Sequence, residues 1–310
     1  MKKFIKYLIL FSIPVLVFLG AVELYCRTQT TFAIKKNYVE KNLGTIETLI
    51  LGSSHSQNGI NPEFLKAKSC NLAFGGQPIS IDYFLLEKYM DQMKKLKTVL
   101  LEVSPHRLYN ELNPNDWNGH VYSNLYDIDY KVEGYSVKNY SFALADVKYF
   151  STIFVDNFNP KIPKPKLNKF GFMINDFQDR FSKLKNDSLK IENSFKMNNK
   201  FNNQVNFKTN TVFLSKIIEK CQKNSVKIIL IGTPLYRTYN AKIPLKTKIQ
   251  HQDLVYNLTN RFGIQYYDFS NNKRFHLKDF KNDNHLNPYG AKKNTVIIDS
   301  LLNHQTPLPL

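Results

Sequence analysis

The chain has 310 residues, of which 43% are hydrophobic and 14% aromatic, with 12 Gly, 13 Pro and 3 Cys. That composition excludes a collagen-like repeat, a disulfide miniprotein and wholesale disorder, and it leaves room for one large domain or two modest ones. Lys and Arg number 43 against 25 Asp and Glu, a formal net charge of +18, which suits an anionic partner (nucleic acid, anionic lipid or acidic polysaccharide) without choosing among them.

Lys2, Lys3 and Lys6 precede Tyr7 to Val22 (YLILFSIPVLVFLGAV), a run without charge that ends at Glu23. With Phe4, Ile5, Leu24 and Tyr25 at its flanks, it lies between a secretory apolar region and the roughly 20 residues that cross a bilayer. No small-x-small cleavage pattern follows, and Glu23-Leu24-Tyr25-Cys26 is a poor lipobox. An uncleaved anchor over residues 1–26 is therefore expected, with a removed signal peptide as the alternative. The lysines ahead of the run should stay cytoplasmic, so the chain beyond Arg27 is expected on the far side of the membrane. Export removes nucleic acid from the partners and leaves an anionic envelope glycan or lipid. A Lys/Asn bias, plain in residues 186–204, accounts for the charge equally well. One disulfide, Cys70 with Cys221, is permitted; buried free thiols are the simpler expectation.

After a polar stretch through about Leu43, Ile46 to Leu51 is a short apolar run closed by Gly52 and reads as a buried strand. Comparable runs follow the short segment Lys68 to Cys70: Thr98 to Val103, Val226 to Ile231 and, more weakly, Gln265 to Phe269. Helical spacing appears over Ile81 to Leu96, Val212 to Lys223, Lys248 to Phe262 and Asn287 to Leu302. Strands alternating with helices predict an α/β fold with a mainly parallel sheet, its ligand site beyond the carboxyl ends of the strands. Residues 108–210, rich in Tyr, Asn, Lys and Pro, break this rhythm and read as an insertion into a domain spanning 27–310. Its aromatics Trp117, Tyr122, Tyr126, Tyr130 and Tyr135 suit either sugar stacking or, more simply, a small core of their own.

The chemistry lies at the strand ends. Gly52-Ser53-Ser54-His55 follows the first strand, where a small residue before a sharp turn exposes a hydroxyl and nearby N–H groups can hold an oxyanion. Taken alone, the serines would serve as helix caps. Asn282-Asp283-Asn284-His285 opens the last helix, and His285 with Asp283 behind it would complete an acyl-transfer set on Ser54. Gly75-Gly76 forms a second turn, from which Gly76 can offer an N–H. His55 is a rival base, although adjacent side chains on a turning chain seldom face one another. Metal-ligand spacing and a phosphate-binding glycine loop are both missing from the sequence, so no metal and no cofactor are expected.

These blocks resemble the SGNH, or GDSL-like, hydrolase superfamily, and within it the membrane-anchored envelope proteins of alginate O-acetylation and teichoic-acid D-alanylation. The resemblance spans about residues 45–105 and 225–302. It implies a flavodoxin-like three-layer α/β/α sandwich, with Ser54 as nucleophile, Ser54 and Gly76 as oxyanion donors and His285 as base. Gly232-Thr233-Pro234 looks like the Thr-Pro segment of the anchored relatives, with no role attached. Ser53 stands where the first block usually has Asp. The third block reads Ser104-Pro105-His106-Arg107 and lacks the oxyanion-binding Asn, leaving His106 or backbone N–H groups to complete the hole. Asn282 stands where most of these hydrolases have Asp, and Asp283 matches the D-x-H spacing of the alginate type. The resemblance further implies a single-pass protein of the bacterial cytoplasmic membrane that moves O-acyl groups on an envelope polysaccharide with an integral membrane acyl-transfer partner. A lipid esterase or lysophospholipase, and an inactive scaffold or glycan-binding protein, are the alternatives.

Overall fold

The computed structural model of the chain describes residues 1–110, 117–128, 140–177 and 203–303. Contacts divide it into two compact units, Met1–Asn37 with Asn113–Lys164, and Tyr38–Leu112 with Pro165–Leu310.

The first unit is helical. Helix α1 (Lys2–Gln29) is long and apolar enough to cross a membrane, and a signal sequence would pass the same test. Large apolar side chains from Phe4 to Phe18 are exposed along it, whereas Val22 and Cys26 are buried. Its last turns pack against α6 (Phe142–Ala145) and α7 (Val147–Asp156), and α6 meets α5 (Trp117–Tyr126). Glu23, the charge that ends the apolar run, accepts hydrogen bonds from Ser141 Oγ (2.9 Å), Ala143 N (3.1 Å) and Arg27 Nε (2.6 Å). Tyr122 and Tyr126 are buried, which fits a core rather than a sugar platform; the side chain of Trp117, and residues Tyr130 and Tyr135, lie outside the described residues.

The second unit carries five parallel strands in the order β2-β1-β3-β4-β5: β1 (Thr48–Leu51), β2 (Ser69–Asn71), β3 (Thr98–Glu102), β4 (Lys227–Gly232) and β5 (Gln265–Asp268). This is the flavodoxin-like doubly wound order. Strands β1 and β3 pair Ile50 with Leu100, and β3 and β4 pair Leu100 with Ile229. On one face these residues join Ile60, Phe269, Ile298 and Leu301 in a single core cluster. Alternation along the strands turns Leu49, Leu51, Val99, Leu101, Ile228 and Leu230, all buried, to the other face. Strands covered on both faces need apolar residues at every position, which is why they read as continuous runs. Helices α3 (Ser54–Gly59) and α11 (Pro288–Asn303) pack together, and α8 (Gln204–Lys223) packs against both α4 (Ile79–Tyr89) and α10 (Leu245–Phe262).

Some boundaries differ from expectation. A helix, α2 (Thr31–Asn42), occupies the stretch expected to be merely polar. Helix α4 gives way at Met90–Gln92 to a 3₁₀ turn, and α8 starts eight residues before Val212, where the Asn203 side chain caps Asn206 N. Cys70 and Cys221 are free and buried. One lies on the edge strand β2 and the other on α8, which packs against α4 and β4, so the permitted disulfide is not formed.

Candidate functional site

The loops at the carboxyl ends of β1, β3 and β4 converge beside α11. Strand β1 ends at Gly52, whose φ of +152° is open to glycine. Ser53 then caps α3, its side chain accepting from His55 N, and Ser54 begins the helix, half-buried. The C-terminal half of this short helix is tied to its neighbours. Asn71 Nδ2 donates to Ser56 O (3.0 Å) and Ile60 O (2.8 Å) from β2, and Asn294 Nδ2 donates to Gly59 O (2.9 Å) from α11.

His285 reaches across to Ser54, with Nε2 2.8 Å from Oγ. Behind its ring stands Asn282, whose Oδ1 is 3.0 Å from Nδ1. The same oxygen accepts from the backbone N–H of His285 (2.8 Å) and Asn284 (3.1 Å). Two backbone donors fix the amide with its oxygen inward, so Nδ1 carries the hydrogen and Nε2 presents a lone pair to the Ser54 hydroxyl.

The expectation put Asp283 behind the ring, and the side-chain oxygen found 3.0 Å from Nδ1 is that of Asn282. The carbonyl facing Nδ1 belongs to the residue three before His285, not two. The Asx turn that orders the loop draws the Asn282 side chain toward the ring, whereas Asp283 is buried and accepts from Tyr236 N through its backbone carbonyl. In the second turn, Gln77 N donates to Phe74 O (3.0 Å) and Gly76 takes φ +73°. Gly75 is the glycine that abuts the Ser54 turn: a Cβ there would lie 3.9 Å from Ser54 Cβ, and its N–H donates to Gln57 Oε1 (2.8 Å). Among the described residues the N–H groups of Ser54 and Gly76 have no acceptor. His106 faces Ser53 rather than Ser54, with Nε2 3.4 Å from Ser53 Oγ.

Glu102, at the end of β3, escaped the sequence reading. It is wholly buried and accepts from Ser53 N (2.8 Å), Ser53 Oγ (2.8 Å), Ser56 N (3.1 Å) and Ser104 Oγ (2.8 Å). Burial opposes its charge, but Arg107, His55, His106 and the Ser104 hydroxyl outweigh that penalty and hold the carboxyl at about 2. The signal for it was its position: a lone acid closing the apolar run Thr98 to Val103. Around it stand three imidazoles. The His55 ring lies 4.2 Å from that of His106 and 5.1 Å from that of His285, and His55 Nδ1, buried without a hydrogen bond, is 3.8 Å from Glu102 Oε1.

Desolvation, and then the neighbouring His55, Lys281 and His106, push His285 well below the ordinary histidine range, with Glu102 pulling the other way. A neutral imidazole next to a serine hydroxyl is the state a general base needs. His55 is also lowered, chiefly by burial. His55, Glu102 and His106 bring one metal-ligating atom each within 4.8 Å of one another, but a cation there would have to displace hydroxyls already bound to Glu102.

No protein-family profile matches the chain, and no curated protein shows significant similarity to it. Among solved structures it is similar to a Bacteroides fragilis protein described as a "putative acylhydrolase", at 11% identity and a TM-score of 0.40, over 86% of this chain and 94% of that one.

Proposed function

We propose that this protein is a serine-dependent acyl-ester enzyme that transfers or hydrolyses O-acyl groups, acetyl among them, on a cell-envelope polysaccharide. The observation that carries the reading is the 2.8 Å approach of His285 Nε2 to Ser54 Oγ, with Nδ1 held by Asn282 so that the reacting nitrogen is unprotonated. Ser54 Oγ attacks the ester carbonyl carbon while its proton passes to Nε2. The bond to the leaving alcohol breaks, and that oxygen takes the proton back from His285. An acceptor hydroxyl or water then attacks the acyl-enzyme, gives its proton to His285 and restores Ser54. The Ser54 and Gly76 N–H groups would receive the oxyanion, a role worth about 2.7–4 kcal/mol per donor. In this reading α1 anchors the protein in the cytoplasmic membrane with the second unit on its outer side, beside an integral membrane partner that delivers acyl groups. The basic charge favours an anionic envelope glycan.

The test compares wild type with Ser54→Ala, as full chains in detergent, for fluorophosphonate labelling and for release of p-nitrophenol from its acetate. Both activities should vanish in the variant. Wild type that neither labels nor turns over would sink the reading.

A further inference from the structure

Acyl transfer makes His285 an imidazolium, and the group behind Nδ1 is the neutral amide of Asn282. An amide oxygen fixes the ring and its tautomer but brings no full charge to stabilise the proton it gains. The charged and titratable groups facing His285 come from several elements. Helix α3 contributes His55, the end of β3 contributes Glu102, and the turn after it contributes His106. The ring's own loop contributes Lys281, whose ammonium is bonded to Asp176 Oδ2 (2.5 Å) and Asn58 Oδ1 (3.0 Å). Tyr239, from helix α9 (Arg237–Lys242), packs against His55, and Asp283 in the ring's own loop contributes electrostatically to Tyr239. Arg107 is ion-paired with Asp82 and also faces Glu102, whose carboxyl it helps to keep ionised. The Glu102 carboxylate lies beside His55, Oε1 3.8 Å from Nδ1 with both side chains buried, and the His55 ring stands 5.1 Å from that of His285. Charges interact far more strongly across such a path than across water.

We infer that Glu102, acting through the buried His55 ring, supplies the negative charge that the Ser54–His285–Asn282 arrangement lacks. Glu102 is a positioning residue: it touches neither substrate nor the reacting atoms. The inference rests on the roles proposed above for Ser54 and His285.

The experiment measures fluorophosphonate labelling rates and the pH profile of p-nitrophenyl acetate turnover for wild type, Glu102→Gln, Asn282→Asp and the double variant, all as full chains in detergent. Glu102→Gln keeps size and an acceptor oxygen and loses the charge. Labelling should slow by about ten- to a hundredfold, and the acidic limb of the profile should move to lower pH, since the imidazolium has lost its supporting anion. Adding Asn282→Asp should restore most of the rate and move the limb back, because a carboxylate now stands directly behind Nδ1. An unchanged rate in Glu102→Gln, or a loss that Asn282→Asp does not restore, would overturn the inference and leave Glu102 as a clamp on the nucleophile turn. Asn282→Asp alone, at a half-buried loop position, provides a check if Glu102→Gln fails to fold. A gain of about threefold or less supports a site already supplied with charge, and a gain near a hundredfold overturns that. Wild type that does not label at all would fail at the earlier step and take this inference with it.

Discussion

Gly52 stands so close to Glu102 that a Cβ on it would lie 2.7 Å from Oε2 and 2.8 Å from the Glu102 Cβ. Two adjacent strands meet there, β1 turning into α3 and β3 delivering its terminal carboxylate to the N–H groups of Ser53 and Ser56. Both the space and the φ of +152° call for glycine. Gly52→Ala should therefore lose roughly 2–4 kcal/mol of stability through backbone strain and displacement of Glu102. Thermal unfolding reads the stability, and labelling of Ser54 well below the transition reads the turn. Labelling at the wild-type rate would mean that the turn does not depend on the Glu102 clamp.

The clamp also predicts an acid-sensitive stability. Glu102 is held at about 2 in the folded protein against an ordinary 4.5. Its folded value is the lower one, so its contribution is fully present above about pH 4.5 and is lost as the pH falls toward 2. A gap of that size corresponds to on the order of 3 kcal/mol. The difference in urea midpoint between wild type and Glu102→Gln should be widest near neutrality and shrink through this window. A difference that stays constant from pH 7 to pH 2.5 would show that the charge contributes nothing.

Beneath the clamp lies an ion pair that joins three loops. Arg107 bonds Asp82 and donates to Glu102 O (2.6 Å) and Gln77 O (3.2 Å), while Asp82 Oδ1 accepts from Gly52 N (3.1 Å) and Gln77 Nε2 (2.5 Å). Both side chains are wholly buried. Arg107→Met leaves Asp82 buried and unpaired and should cost about 3–5 kcal/mol. Removing both charges with Asp82→Leu in the same chain should recover a large part of that loss, although the Gly52 and Gln77 donors then lose their acceptor. Urea unfolding of the two single variants and the double variant gives the coupling; strict additivity would refute it.

Much of this architecture was legible because buried parallel strands are written as apolar runs, each closed by a glycine or a polar turn, as at Leu51-Gly52 and Ile231-Gly232. Ser54 and His285 were legible for a related reason, since small and polar residues crowd the strand ends. What escaped depended on side-chain direction or on distant pairing. Asn282 and Asp283 differ by one position, and spacing alone does not say which the Asx turn aims at Nδ1. Glu102 is 49 residues from Ser53 in sequence, and only the pairing of β1 with β3 brings the two together. Helix α2 lacks an apolar period to announce it.

If the proposed function holds, the pH dependence of turnover follows from the environment of His285. Desolvation and the neighbouring His55, Lys281 and His106 depress its affinity for a proton, and Glu102 compensates only in part. The base form of His285 is thus retained at pH values where an ordinary histidine is largely protonated. Turnover of p-nitrophenyl acetate should rise with pH along an acidic limb whose midpoint lies below 6.5, and remain flat through neutrality. Lys281→Met removes a positive neighbour, raises the proton affinity of His285 and should move that midpoint upward, toward the ordinary histidine value, without abolishing the plateau. A wild-type midpoint at or above 6.5, or a downward movement in Lys281→Met, would be incompatible with His285 working as the neutral base beside Ser54.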